Sequence, residues 1–375
     1  MRIRAAILRN MGAAIPYADT RPLSIETLEL APPGPGEVLV RIAAAGLCHS
    51  DLSVIDGNRP RPLPMALGHE AAGVVEALGS GVDDLAVGDH VVTVFMPSCG
   101  HCLPCAEGRP ALCEPGAAAN GRGELLGGGS RLATVEGEPV HHHLGCSAFA
   151  THAVLSRRSL VRVDRDLPLE EAALFGCAVL TGVGAVLNTG RVRAGQAVAV
   201  IGLGGVGVSA LLGAVAAGAS RIVAIDLSAD KLALAAALGA TEIVDGRDAD
   251  AVAQVRASTG GGVDAAFEMA GSARALETAV AITRRGGTTV TAGLPPPGAT
   301  LPVNIVQLVA EERTLKGSYI GGCVPVRDVA RYVALYRAGR LPVDRLVTGT
   351  LALEDINTGF DRLRDGSAVR QIVRL

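Results

Sequence analysis

At 375 residues, with a formal net charge of −3 and 19% charged residues, the chain is long enough for two domains with full cores and carries no basic excess to recruit nucleic acid. Lys231 and Lys316 are the only lysines among 34 basic residues, and nothing near the N-terminus forms an apolar core of signal-peptide length. The composition predicts a soluble, cytoplasmic protein with no membrane and no nucleic-acid partner.

From "GEVLVRIAAAGLCHSD" to "LAVGDHVVTVF" short β-branched runs alternate with Gly and Pro turns, which predicts a β-rich unit. Next comes "CGHCLPCAEGRPALC", which holds Cys99, Cys102, Cys105 and Cys113. C-x2-C steps direct successive thiolates at one ion, and four thiolates complete a tetrahedral zinc shell. An iron–sulfur cluster or unligated thiols are the competing readings. A closed four-thiolate shell leaves no position for substrate, so this loop is read as a structural staple, with the chemistry elsewhere. The Gly-rich, weakly patterned stretch from Pro115 to Gly137 is expected to be an extended surface loop.

Beyond about residue 180 strands and helices alternate. Strand "QAVAVI" is followed by helix "VSALLGAVAAGA", then strand "RIVAID", and three helix–strand pairs then precede a last strand in "TLKGSYIGG". Strict alternation implies a parallel sheet covered on both faces. The uncharged run between Arg193 and Arg221 has the length of a membrane span, but its glycines explain it better. Gly202, Gly204 and Gly207 form G-x-G-x-x-G between a strand and a helix, and Asp226 ends the next strand. That is the context of a dinucleotide site, with the pyrophosphate at the helix N-terminus. A carboxylate at Asp226 accepts the ribose hydroxyls and repels a 2′-phosphate, which favours NAD over NADP.

Three soft ligands lie in quieter text: Cys48 in "GLCHSD", His69 in "LGHEAAG" and Cys177 in "LFGCAVLTGVGA". Taken singly each is weak, because free cysteine is commonly a small buried hydrophobe. Together with the four-cysteine loop and "GLGGVG", in this order and spacing, they resemble the zinc-dependent medium-chain alcohol dehydrogenases. The resemblance covers essentially the whole chain and is nearest the long-loop branch of liver-type and glutathione-dependent formaldehyde dehydrogenases.

The resemblance implies an α/β chain: a GroES-like β-barrel catalytic domain over 1–178, a Rossmann doubly wound parallel-sheet domain over 179–322, and a return to the catalytic domain over 323–375. It implies two zinc ions per subunit, one held by Cys99, Cys102, Cys105 and Cys113, the other by Cys48, His69 and Cys177. It implies NAD-dependent interconversion of primary or benzylic alcohols and aldehydes, by hydride transfer from a zinc-bound alkoxide, in a homodimer or homotetramer. Asp51 corresponds to the acid that orients the ligating histidine, Glu70 to the carboxylate behind the metal, and Ser50 to the hydroxyl that takes the alcohol's proton. His49 and Arg370 correspond to pyrophosphate contacts, Thr181 to a nicotinamide contact and Lys231 to a ribose contact. Phe95 and His143 correspond to substrate-pocket walls.

Two departures stand out. Ser53 occupies the position where the liver-type relay ends on histidine, and a hydroxyl has no pKa near neutrality. Ala117 occupies the position of the arginine found in glutathione-dependent formaldehyde dehydrogenases. Three other readings remain: a formaldehyde dehydrogenase acting on a mycothiol or glutathione adduct, a zinc-free quinone reductase, and a non-catalytic NAD- or zinc-binding protein.

Overall fold

The computed structural model describes residues 1–375, which divide into two compact units. The first comprises Met1–Cys177, Val324–Ala330 and Val347–Leu375; the second comprises Ala178–Cys323 and Arg331–Leu346.

Ten strands build most of the first unit. They are β1 (Arg2–Leu8), β2 (Leu23–Leu30), β3 (Glu37–Gly46), β4 (Met65–Ala66), β5 (Glu70–Leu78), β6 (His90–Thr93), β7 (Leu132–Thr134), β8 (Pro139–His142), β9 (His152–Ser156) and β10 (Leu160–Val163). Strands β1, β2, β7, β8 and β4 close a small barrel. Its buried filling includes Ile3, Ile7, Leu28, Leu30, Leu132 and Val140. In β3, Val38, Val40, Ile42 and Ala44 are buried while Arg41 is exposed, the alternation of a strand with one wet face. β3 pairs antiparallel with both β5 and β9.

The second unit is a six-stranded parallel sheet of β11 (Ala197–Ile201), β12 (Arg221–Asp226), β13 (Glu242–Asp245), β14 (Val263–Glu268), β15 (Thr283–Thr291) and β16 (Thr314–Gly317), in the order β13-β12-β11-β14-β15-β16. That is the doubly wound nucleotide-binding order, with the topological switch beside β11. Val198, Val200, Val223, Ile225 and Phe267 are buried, as strands covered on both faces require. The helix Gly205–Ala216 follows β11 directly. No helix of the chain is long and apolar enough to cross a membrane.

The chain then returns to the first unit through β17 (Val347–Ala352) and β18 (Arg370–Arg374), which extend the sheet to β10-β6-β5-β3-β18-β17. The return to the first domain expected over 323–375 is interrupted, because Arg331–Leu346 groups with the second unit. Tyr332 anchors it there, its hydroxyl accepting from Asn188 Nδ2 at 3.4 Å and lying 3.6 Å from Cys323 Sγ.

The expected surface loop over Pro115–Gly137 requires correction. It contains a helix, Glu114–Arg122, and barrel strand β7. The helix has almost no apolar periodicity to betray it. It starts because the Cys113 side chain accepts from Gly116 N, and it stops at Gly123 in a left-handed turn (φ +69°).

Candidate metal centre and dinucleotide loop

Cys48 ends the extended segment after β3 and stands at the N-cap of the helix His49–Ile55. His69 immediately precedes β5, and Glu70 is its first residue. Gly68 takes φ +93°, and a Cβ there would lie 2.4 Å from Phe149 N, so the turn that aims His69 requires glycine. Thr93 secures the same turn, its hydroxyl donating to His69 O at 3.2 Å and accepting from Ala71 N at 2.9 Å. Cys177 follows the turn after the helix Leu169–Leu174. The structure brings the ligand atoms of Cys48, His69, Glu70 and Cys177 within 4.8 Å of one another, all four residues being buried.

His69 Nδ1 lies 3.1 Å from Asp51 Oδ1, which also accepts from Gly68 N at 3.0 Å. Its Nε2 is buried without a hydrogen-bond partner. A buried imidazole with one nitrogen on a carboxylate and the other free toward two cysteines has the arrangement of a metal ligand with its orienting acid. Burial opposes charge on His69, yet the Asp51 carboxylate and Cys48 together hold its pKa well above the ordinary value. A hydrogen bond from the Cys177 thiol holds Cys48 well below the ordinary thiol pKa. The same hydrogen bond and burial push Cys177 well above it. Cys48, His69 and Cys177 would hold a divalent cation through two sulfurs and a neutral imidazole.

Glu70 sits behind these donors, opposite Gly46 on β3. A Cβ at Gly46 would fall 2.8 Å from Glu70 Oε1, so the glycine makes room for the carboxylate. Neither carboxylate oxygen has a hydrogen-bond partner, although Arg370 Nη1 lies 3.3 Å from Oε2. Burial pushes Glu70 up to about 7. Arg370 is buried too and donates from Nη1 to Leu47 O at 2.8 Å, and its guanidinium also meets Glu70 and the Cys48 side chain.

The two expected pocket walls both meet the His69 ring. Phe95 stands edge-on to it with centroids 5.3 Å apart, and His143 does the same at 5.5 Å. His143 Nδ1 also lies 3.0 Å from Asp51 Oδ1, so one carboxylate serves two imidazoles, an arrangement the sequence reading did not foresee. Burial lowers the pKa of His143. Ser50 is half-buried and His49 exposed on the first turn of the same helix. Ser53 Oγ donates to His49 O at 2.8 Å.

The sulfurs of Cys99, Cys102, Cys105 and Cys113 also lie within 4.8 Å of one another. Cys113 Sγ accepts from Cys99 N at 3.2 Å and from Gly116 N at 3.4 Å, and Cys99 Sγ accepts from Cys102 N at 3.3 Å. Backbone N–H groups pointed at convergent sulfurs suit thiolates on a metal, and the four donors fit a closed zinc shell.

In the second unit each fingerprint glycine has a distinct reason. Gly202 takes φ +87°, and its Cβ would lie 2.7 Å from Ala270 N. A Cβ on Gly207 would strike Gly202 O at 1.7 Å, so this residue sets the helix against the turn. A Cβ on Gly204 would meet nothing within 4 Å. Its smoothness serves no contact of the chain itself and leaves the helix N-terminus open to a pyrophosphate. Asp226 ends β12, its Oδ2 accepting from Leu203 N at 2.6 Å and its Oδ1 from Ser228 N at 2.9 Å. Ser228 caps the helix Ala229–Ala237, which carries Lys231. Thr181 lies half-buried in the helix Ala178–Gly184.

Two family models match the chain: an alcohol dehydrogenase GroES-like domain over residues 34–165 and a zinc-binding dehydrogenase domain over 205–337. Among solved structures, an alcohol dehydrogenase zinc-binding domain protein from Burkholderia ambifaria is 39% identical, with TM-score 0.94 over 100% of this chain and 99% of that one. Benzyl alcohol dehydrogenase from Acinetobacter calcoaceticus is 34% identical, with TM-score 0.93 and the same coverage. The chain belongs to the zinc-dependent medium-chain alcohol dehydrogenase family. A more distant member, a zinc-binding dehydrogenase from Sinorhizobium meliloti bound to NADP, is 25% identical with TM-score 0.80 over 100% of both chains. In this family member the barrel unit is the GroES-like domain and the parallel-sheet unit the Rossmann domain.

Proposed function

We propose that this zinc-binding dehydrogenase oxidises primary or benzylic alcohols to aldehydes, and runs the reverse reaction, with NAD as hydride carrier. The observation that carries the reading is the buried convergence of Cys48, His69 and Cys177, with His69 Nε2 unpartnered beside the two sulfurs. A protein that kept only a structural zinc would have no use for that second donor set. Zinc held there supplies the Lewis acidity that lowers an alcohol's hydroxyl pKa. Asp51 fixes the His69 tautomer, Ser50 is placed on the adjoining helix turn to take the alcohol's proton, and Phe95 and His143 exclude water and orient the carbinol carbon. The inclusion of benzylic alcohols is supported by Phe95 at the His69 ring and by likeness to the Acinetobacter enzyme.

NAD is favoured over NADP because both Asp226 oxygens are pinned by backbone N–H groups at the tip of β12, where a 2′-phosphate would meet a fixed carboxylate. Thr181, Lys231 and His49 are assigned to the nicotinamide, ribose and pyrophosphate. The working protein is proposed to be a cytoplasmic homodimer or homotetramer with two zinc ions per chain. Self-association is supported by the open edge of β16, all of whose residues are exposed, and by exposed Ile305, Val306 and Val309 close before it.

The test is NADH formation over short, long-chain and benzylic alcohols, with NADP run in parallel, and over formaldehyde with and without glutathione or mycothiol. Turnover of free alcohols that ignores added thiol supports the assignment. Activity that appears only with a thiol adduct replaces it with a formaldehyde dehydrogenase.

A further inference from the structure

The helix Glu114–Arg122 touches more of the site than its bland sequence promises. At its start, Cys113 Sγ accepts from Gly116 N, so a ligand of the four-cysteine loop is also the helix cap. The first turn rides directly on the backbone beyond Phe95: a Cβ on Gly116 would lie 2.1 Å from Pro97 O. One turn on, Asn120 Nδ2 donates to Phe95 O at 2.8 Å and lies 3.7 Å from Met96 Sδ. Asn120 is 4% exposed, and its Oδ1 has no partner, so the acceptors at Phe95 O and Met96 Sδ dictate which way the amide faces. At the helix end, Gly123 O accepts from His142 N at 2.8 Å, next to His143, and Arg61 Nη1 donates to Asn120 O at 3.2 Å. One short helix therefore spans from a sulfur of the staple to the backbones behind both rings that flank His69.

We propose that this helix is a strut through which the four-cysteine loop sets the position of the pocket walls, and that Asn120 is the positioning residue that fixes Phe95. The substrate-selectivity arm of this proposal rests on the alcohol dehydrogenase reading; the structural arm does not. With the four cysteines gathered on one ion, Cys113 holds the first turn, the first turn sits on Pro97, and Asn120 holds the Phe95 carbonyl. Loss of the ion frees the Cys113 cap, and the effect is felt first at Phe95 and only then at His69. Coupling of this kind is carried by contiguous packed and hydrogen-bonded groups, and a cycle of paired perturbations measures it.

The experiment compares the wild-type enzyme with Asn120→Leu, which keeps the volume and removes the donor, and with Asn120→Asp, which sets an acceptor against the Phe95 carbonyl. Amide hydrogen exchange is read in the peptides spanning 92–97 and 141–144, before and after a chelator has removed one zinc per chain. Exchange at 92–97 is expected to rise in Asn120→Leu. Chelation should raise it in the wild type and add little in the variant. Additive effects of chelation and mutation, or no change at 92–97, would overturn the strut.

The second readout is the ratio of kcat/KM for benzyl alcohol to that for ethanol, alongside the melting temperature. Asn120→Leu should lower this ratio about fivefold, the size of one hydrogen bond's net contribution. A fall in both substrates by the same factor, tracking only the melting temperature, would reduce Asn120 to a structural residue. If Asn120→Asp does not fold, Asn120→Leu decides alone. If no alcohol is oxidised by any form, the functional assignment fails while the exchange result still stands.

Discussion

Ser53 sits where a relay histidine is usual in the liver-type enzymes, and its hydroxyl is already committed, donating to His49 O one turn back at 2.8 Å. A back-bonded serine on a helix has no proton free to pass on. Ser53→Ala is therefore expected to change kcat/KM by less than about twofold and to leave its pH profile unmoved, as a surface substitution of small effect does. A profile that shifts in the variant would return Ser53 to the proton path. The same residue shows what a motif can and cannot carry. The identity of Ser53 is plain in the text, and so are Cys48, His69, Cys177 and Asp51, because their spacing is tied to turns that aim them. The commitment of the Ser53 hydroxyl, the sharing of Asp51 between His69 and His143, and the Asn120 clamp are invisible there. The last two depend on segments far apart in the chain that meet only in the fold, and the first is a rotamer choice that a helical serine does not announce.

Elements carry two further expectations. In the glycine loop the structure separates residues that the motif treats alike. Gly207→Ala drives a methyl into Gly202 O and should destabilise the Rossmann unit by about 1–3 kcal/mol, read as a lower unfolding midpoint. Gly204→Ala meets nothing of the chain, should cost less than about 1 kcal/mol of stability, and should weaken NADH binding about tenfold or more by titration. Equal behaviour of the two variants would deny that Gly204 faces a ligand. The second expectation lies on β8. His142 is buried, its Nε2 accepts from Arg131 N at 3.2 Å, and burial lowers its pKa from 6.5 to about 3. The unfolded chain binds this proton and the folded chain does not. The contribution is therefore complete above the unfolded pKa and shrinks as pH falls from 6.5 toward 3, by about 1.4 kcal/mol per pH unit. Urea unfolding of His142→Gln between pH 7 and 4 should show a shallower loss of stability than the wild type, and parallel slopes would mean the imidazole is protonated in the fold. The β-branched runs of the first unit and the alternating strands and helices of the second are legible in the sequence because their apolar periodicity is strong. The helix Glu114–Arg122 was not, since "EPGAAANGR" has no apolar face and owes its helical state to a sulfur cap and to packing against Pro97.

For the whole molecule, the outermost strand of the Rossmann sheet poses a problem that one chain does not solve. β16 is an edge strand with its residues exposed, and just before it Ile305, Val306 and Val309 are 73%, 77% and 72% exposed. Water-facing aliphatic residues beside an unpaired strand edge invite pairing with another chain, and a second copy placed about a two-fold axis offers the same edge in return. A charge in that patch costs the isolated chain little, because Val306 already meets solvent, but it costs an interface the desolvation of an unpaired carboxylate. Val306→Asp is expected to leave the unfolding midpoint of the separated chain nearly unchanged and to lower the mass seen by light scattering to that of one chain, or at least to halve it. Zinc content by elemental analysis should stay at two per chain, because both cysteine-bearing donor sets lie wholly within the first unit. A variant that keeps the wild-type mass would place the interface elsewhere on the molecule. A wild-type protein that is already monomeric would show instead that the edge of β16 is left open in solution.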